Sequence, residues 1–163
     1  MTRALDRRKF IGLLAAGVAG LAAGSACAHS ESATARDSYV RTVKASFDDV
    51  FADLEFAITE RNYRITGVNS IGRAIVDRQD QKSPFPLASV VHFCNIEAAR
   101  EILEINLDYL LLMPCRIALN EIDDGHIRIE AQLLPLDDEP LHAVAVRVNA
   151  MLRSIVDFAA GDW

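Results

Sequence analysis

The sequence predicts an α+β fold, a mixed β-sheet with helices packed on it as a two-layer sandwich. Segments that alternate with period two and are rich in β-formers take turns with segments whose apolar residues recur every three or four positions. Between two of the strand segments stands only Asp123-Asp124-Gly125, a hairpin turn, so the sheet is not purely parallel. The 163 residues are 51% apolar and 25% charged, values of one globular domain plus an appendage.

Each element has its own signal. Tyr39 to Ala45 alternates and reads as a strand. Ser46 caps a helix with Asp49 three residues on, and Phe47, Val50, Phe51, Leu54, Ala57 and Ile58 form its stripe. Asn62 tolerates the left-handed conformation after the last turn. Tyr63 to Val68 is a second strand. Asn69-Ser70 leads a short helix expected to turn Ile71, Ala74 and Ile75 inward, and Asp77 to Pro86 is a polar loop. Leu87 to Cys94 is apolar on both parities, as in a strand covered on both faces. Asn95 caps a helix expected to bury Ile96, Ala99, Ile102 and Leu103. Asn106 to Pro114 is an apolar connection. Cys115 to Ile122 and His126 to Leu133 form the hairpin, with Gly125 supplying the positive φ. In the last helix, Asp137, Asp138 and Glu139 suit the positive end and Pro140 the first turn. Leu141, Val144, Ala145, Val148, Leu152, Ile155, Val156 and Ala159 make its stripe, and Gly161 ends it.

Residues 1–28 read as an address. Arg7-Arg8-Lys9-Phe10-Ile11 precedes a glycine-interrupted apolar stretch from Phe10 to Ala23, and Ala26-Cys27-Ala28 has the small-x-small order of a cleavage site. The apolar run falls short of the ~20 residues that span a membrane. The paired arginines with Phe10 resemble a twin-arginine export signal. That resemblance implies passage of an already folded protein through the twin-arginine machinery, hence a periplasmic or otherwise exported location. Acylation of Cys27 is the alternative, which would anchor the chain to a membrane. Residues 29–38 are small and polar and read as a flexible tether, with a single domain over 39–163. Residues 29–163 hold 13 Lys and Arg against 22 Asp and Glu. So acidic a domain gets no electrostatic help toward phosphate, and nucleic acid is not an expected partner.

Phe93-Cys94-Asn95, Ala99, Leu112-Met113-Pro114-Cys115 and Asp124-Gly125 together resemble the family called domain of unknown function 302. Its members show a Cys-Asn opening a helix, a Leu-Leu-Pro-Cys-like run opening a strand and an acidic-Gly hairpin. Phe47 to Tyr63 is similar to the family's first helix, with Asn62 in place of a glycine, and the resemblance spans Val43 to Ala159. Ile96 stands where a proline often follows the Asn, and Leu107 where an Asp-Pro is usual. The resemblance implies a compact α/β fold and brings no activity or catalytic residue.

Cys94 and Cys115 are the cysteines left after cleavage at Ala28. In an oxidising compartment two thiols suggest a disulfide, yet parallel strands would put these two at opposite sheet edges, while antiparallel strands would let them meet. With no C-x-x-C, a thioredoxin-type centre is not expected. His92 and Cys94 lie two apart on a strand and so face the same side, Met113 and Cys115 are likewise two apart, and together they are soft donors of the kind that suits copper(I) or haem iron. Asn95 reads as a helix cap, or as part of an anion site at a helix N-terminus. His126 alternates outward with Arg128 and Glu130. No phosphate-binding glycine loop, H-E-x-x-H or G-x-S-x-G is present, so no catalytic residue is assigned. The leading expectation is a non-catalytic binding or accessory module, without a cofactor, for a small ligand or partner protein held around Cys94, Asn95, Met113 and Cys115. The alternative is a thiol-redox or soft-metal protein using His92, Cys94, Met113 and Cys115. Homodimerisation stays open, because the Leu110–Met113 run is a candidate exposed apolar patch.

Overall fold

The computed structural model describes residues 37–79, 87–123 and 125–162. The expected signal at 1–28 and nearly all of the expected tether at 29–38 lie outside them, as do Asp124 of the hairpin and most of the polar loop. The elements run β1 (Ser38–Lys44), α1 (Phe47–Glu60), β2 (Arg64–Asn69), α2 (Ile71–Gln79), β3 (Ala88–Cys94), α3 (Ile96–Ile105), a 3₁₀ helix (Leu107–Leu112), β4 (Cys115–Asp123), β5 (His126–Gln132) and α4 (Glu139–Ala159).

The α+β class is as expected, but the sheet is not mixed. Its order is β1-β5-β4-β3-β2, and every described pairing is antiparallel. The cause is the connection between β3 and β4. A helix between strands usually carries the chain over to a parallel partner. Here the 3₁₀ turn after α3 brings the chain back to the end of the sheet it left, and β4 runs down beside β3 with Phe93 opposite Cys115. α1 carries the chain from one edge strand, β1, to the other, β2.

The core lies between one face of this sheet and the helices. Val91 and Phe93, Ile117 and Leu119, Ile127, Ile129 and Ala131 point into it, against Val50, Leu54, Ala57 and Ile58 of α1 and the stripe of α4. Alternate strand residues such as Val90, His92, Ala118, Arg128 and Glu130 are only half-buried. β3 is therefore packed on one face, not two, which antiparallel sheets permit. Burying a side chain the size of Phe93 or Leu54 contributes roughly 1.5–3 kcal/mol each.

The predicted caps form as chemistry dictates. Ser46 Oγ accepts from the Asp49 amide at 3.1 Å, and Asn62 takes φ 60°. Gly125 turns the hairpin at φ 81°. Two stripes differ from expectation. Ile71 and Ala74 are exposed, since α2 seats itself by Gly72, Ile75 and Val76 instead. Ile96, 74% exposed, sits at the first helical position of α3, ahead of the turn that meets α4.

Polar ties fix how the layers meet. Tyr39 Oη and Arg41 Nη1 donate to Asp157 Oδ1 at 2.7 and 2.9 Å, joining β1 to α4, and Arg41 also pairs with Asp162. Arg61 reaches Ser154 Oγ at 2.9 Å and lies over the Phe158 ring, joining α1 to α4. Asn149, buried within the apolar stripe of α4, accepts from the Leu134 amide at 2.8 Å and donates to the Leu134 carbonyl at 2.9 Å. This clamp satisfies both backbone groups of a buried residue as the chain leaves β5. Asn149→Leu would leave both unpaired and is expected to cost about 2–4 kcal/mol in urea unfolding. Arg100→Ala, which breaks the exposed pair with Glu104, should cost about 0.5 kcal/mol or less by the same measurement.

Candidate functional site

The antiparallel reversal decides what meets at the β3–β4 end of the sheet. Cys94 ends β3, Asn95 opens α3, Met113 and Pro114 follow the 3₁₀ helix, and Cys115 begins β4. The peptide between Met113 and Pro114 is cis. Cys94, Asn95, Met113 and Cys115 all line one hollow, with Tyr63, Ala98, Ala99, Ile102, Leu112, Leu134 and Val148. Its volume is about 20 Å³, enough for a single water molecule. Both cysteines are free thiols.

His92 is not part of this hollow. It sits opposite Arg116 on the open side of the sheet, where its Nε2 meets Asn69 Nδ2 at 3.1 Å. The four soft donors named from the sequence are thus divided: three share the hollow and one faces away. Strand parity alone predicts His92 and Cys94 on one face, but Cys94 ends its strand and falls within the hollow. Among the described residues no group of three or more His, Cys, Asp or Glu is gathered as a metal ion would require.

The hollow is electrically quiet. Burial pushes the Cys115 thiol up from 9.0 to about 11, helped by the neighbouring Cys94, and burial raises Cys94 too. Tyr63 is pushed to about 12 by burial and by the two cysteines, and its ring meets Phe93 edge-on at 5.7 Å. Thiols so placed are protonated at neutral pH, the opposite of the depressed pKa that marks a nucleophilic or thiolate-ligand cysteine.

Asn95 is fully occupied. Its Oδ1 accepts from the Ala98 amide at 3.0 Å, capping α3, and its Nδ2 donates to the Asn62 carbonyl at 3.0 Å. It therefore ties the start of α3 to the left-handed turn after α1. The other wall is held by Tyr109, whose hydroxyl donates to Asp138 Oδ1 at 2.7 Å, anchoring the 3₁₀ helix to the start of α4. Asp138 is the α4 N-cap residue yet makes no side-chain cap bond of its own. Leu107 and Leu111 stand out from the 3₁₀ helix, 75% and 87% exposed, beside the hollow's Leu112 wall. Sequence reasoning missed Tyr63, Tyr109 and Asn149. Asn149 was signalled by a polar residue at a stripe position of α4, whereas nothing in sequence spacing links Tyr109 to Asp138.

The other two histidines among the described residues stand apart from the hollow. His126 Nδ1 pairs with Asp123 at the hairpin, and His142 Nδ1 donates to the Leu136 carbonyl at 2.8 Å, closing the loop before α4.

This architecture and its buried, thiol-lined hollow define a two-layer α+β domain with a five-stranded antiparallel sheet. The family model described as domain of unknown function DUF302 matches residues 39–159. The chain belongs to that family. It is similar in structure to an uncharacterised conserved DUF302 protein from Bacillus stearothermophilus, with a TM-score of 0.66 and 16% identity, over 75% of this chain and 97% of that one. No curated protein matches the chain significantly.

Asn95→Ala removes a cap and a tie together and should cost about 1–2 kcal/mol, against about 1 kcal/mol for Ser46→Ala, by denaturant unfolding. The raised Cys115 pKa has a stability sign as well. The folded state holds its proton where the unfolded chain has lost it, so this contribution is complete below pH 9.0 and is lost as pH rises toward about 11. Stability measured across that window should fall, and the fall should shrink in Cys115→Ala.

Proposed function

We propose that this protein is an exported, non-catalytic binding or accessory module whose ligand or partner protein inserts a small apolar group between α3, the 3₁₀ helix and the β3–β4 strand ends. One observation carries the reading: Cys94, Asn95, Met113 and Cys115 share a single apolar hollow whose thiols are reduced and raised in pKa. A protonated thiol is a small apolar wall. The hollow as closed has room for little more than water, so an entering group displaces Leu112 and Met113 of the connecting segment. The exposed Leu107, Leu110 and Leu111 give an incoming partner an apolar rim. Export rests on Arg7-Arg8 before Phe10 and on Ala26-Cys27-Ala28, and the partner for that step is the twin-arginine machinery, with lipidation at Cys27 as the alternative.

The closeness of Cys94 and Cys115 favours a second reading, a thiol-redox protein or a copper or haem carrier. Mass-spectrometric counting of maleimide-labelled thiols separates the two. The first reading expects Cys94 and Cys115 both free, labelled slowly in the native protein and fully in denaturant, and slower still with hexanol as an apolar probe. A Cys94–Cys115 disulfide, or labelling at the rate of an exposed cysteine, would overturn it in favour of the second. Export is tested in the host by exchanging Arg7 and Arg8 for Lys. The exchange should hold the protein in the cytoplasm, and unchanged secretion would refute the twin-arginine route.

A further inference from the structure

The helices of this domain lie on one face of the sheet. The opposite face gathers Lys44 of β1, Arg64 of β2, Arg116 of β4 and Arg128 of β5 against two strand carboxylates, Glu130 and the His126-paired Asp123, in a protein of net charge −6. Toward its middle this face is concave. A hollow of about 300 Å³ is lined by Ser38, Val90, Arg116, Ala118, Glu130 and Gln132. It is separate from the thiol-lined hollow and shares no residue with it.

Arg116 differs from most of the domain's arginines that lie against its packed elements. Arg41, Arg100, Arg128 and Arg147 each pair with a carboxylate, and Arg61 donates to Ser154 and to the Ala57 carbonyl. Arg116 is half-buried and has no hydrogen-bond or ion-pair partner among the described residues. Its cross-strand neighbour His92 is already engaged with Asn69. Glu130, the carboxylate of the hollow, is taken by Arg128 at 2.8 Å. Arg128 Nε on the same face is shut off from solvent without an acceptor. The hollow therefore presents one uncommitted guanidinium beside hydroxyl and amide groups from Ser38 and Gln132. Val90 and Ala118, paired across β3 and β4, supply an apolar floor.

We propose that this hollow binds a small organic monocarboxylate, its carboxylate forked onto Arg116 and its apolar body resting on Val90 and Ala118. A guanidinium matches a carboxylate with two parallel donors. The nearby Glu130 disfavours a dianion such as phosphate, and the apolar floor favours a branched aliphatic body over a bare ion. The binding-module reading above concerns other residues, so either stands or falls without the other.

The test is a titration of the ¹⁵N-labelled protein with isovalerate, followed by amide shifts. Saturable binding at about 1–10 mM is expected, with shifts at residues 90–92, 116–118 and 130–132 and none at 98–102. Isovaleramide, the neutral isostere, and inorganic phosphate should each bind at least about tenfold more weakly. Arg116→Gln should weaken isovalerate by about 10- to 100-fold, and Arg64→Gln should leave it unchanged. Ala118→Glu, which sets a tethered carboxylate in the hollow, should abolish binding while the protein stays folded. Unsaturable shifts, equal binding of phosphate or of the amide, indifference to Arg116→Gln, or a dimer that covers this face would each overturn the proposal.

Discussion

The antiparallel register of β3 against β4 is the constraint on which the rest of this molecule depends. Because Phe93 lies opposite Cys115, the end of one strand and the start of the next share one end of the sheet. Everything between them, α3 and the 3₁₀ helix, must then fold back over that end and form a wall. The hollow is the space left where a ten-residue helix and a six-residue 3₁₀ turn bridge two neighbouring strands. A parallel crossover would have sent Cys115 to the far edge and left each thiol in ordinary packing.

Two polar groups keep that wall in place, one at each end. Asn95 uses both sides of its amide, and Tyr109 reaches the residue that opens α4. Neither is a ligand-recognition group in the usual sense. Both spend their hydrogen-bonding capacity on backbone or on a neighbouring carboxylate, leaving the interior of the hollow apolar. That division explains how a site with two cysteines remains chemically quiet: desolvation dominates, outweighing the pull of the neighbouring Arg116 on Cys115, and the pKa values rise. The same logic, inverted, applies to the open sheet face, where a guanidinium is left without a carboxylate.

Much of the fold was legible because its elements carry short-range signals. Ser46, Asn62, Gly125 and the α4 stripe each act through neighbours three or four residues away, so spacing reveals them. The grouping of Cys94, Asn95, Met113 and Cys115 was legible as residue types worth watching, but their convergence depended on strand direction, which no local pattern encodes. His92 was misgrouped for the same reason, since period two describes the middle of a strand and not its end. Ile96 misled because an apolar residue at the first helical position joins a stripe in projection while pointing past the helix it should meet. β3 looked doubly covered because Val90 and Ala88 are small or apolar, although only Val91, Phe93 and Ser89 face the helices.

The most direct test is the cross-strand nuclear Overhauser pattern of β3 and β4 in solution. Contacts are expected to link Phe93 to Cys115, Val91 to Ile117 and Ser89 to Leu119, in descending register against ascending. A parallel pattern, with Phe93 near the far end of β4 and Cys115 beside the start of β3, would separate the two thiols and contradict the shared hollow.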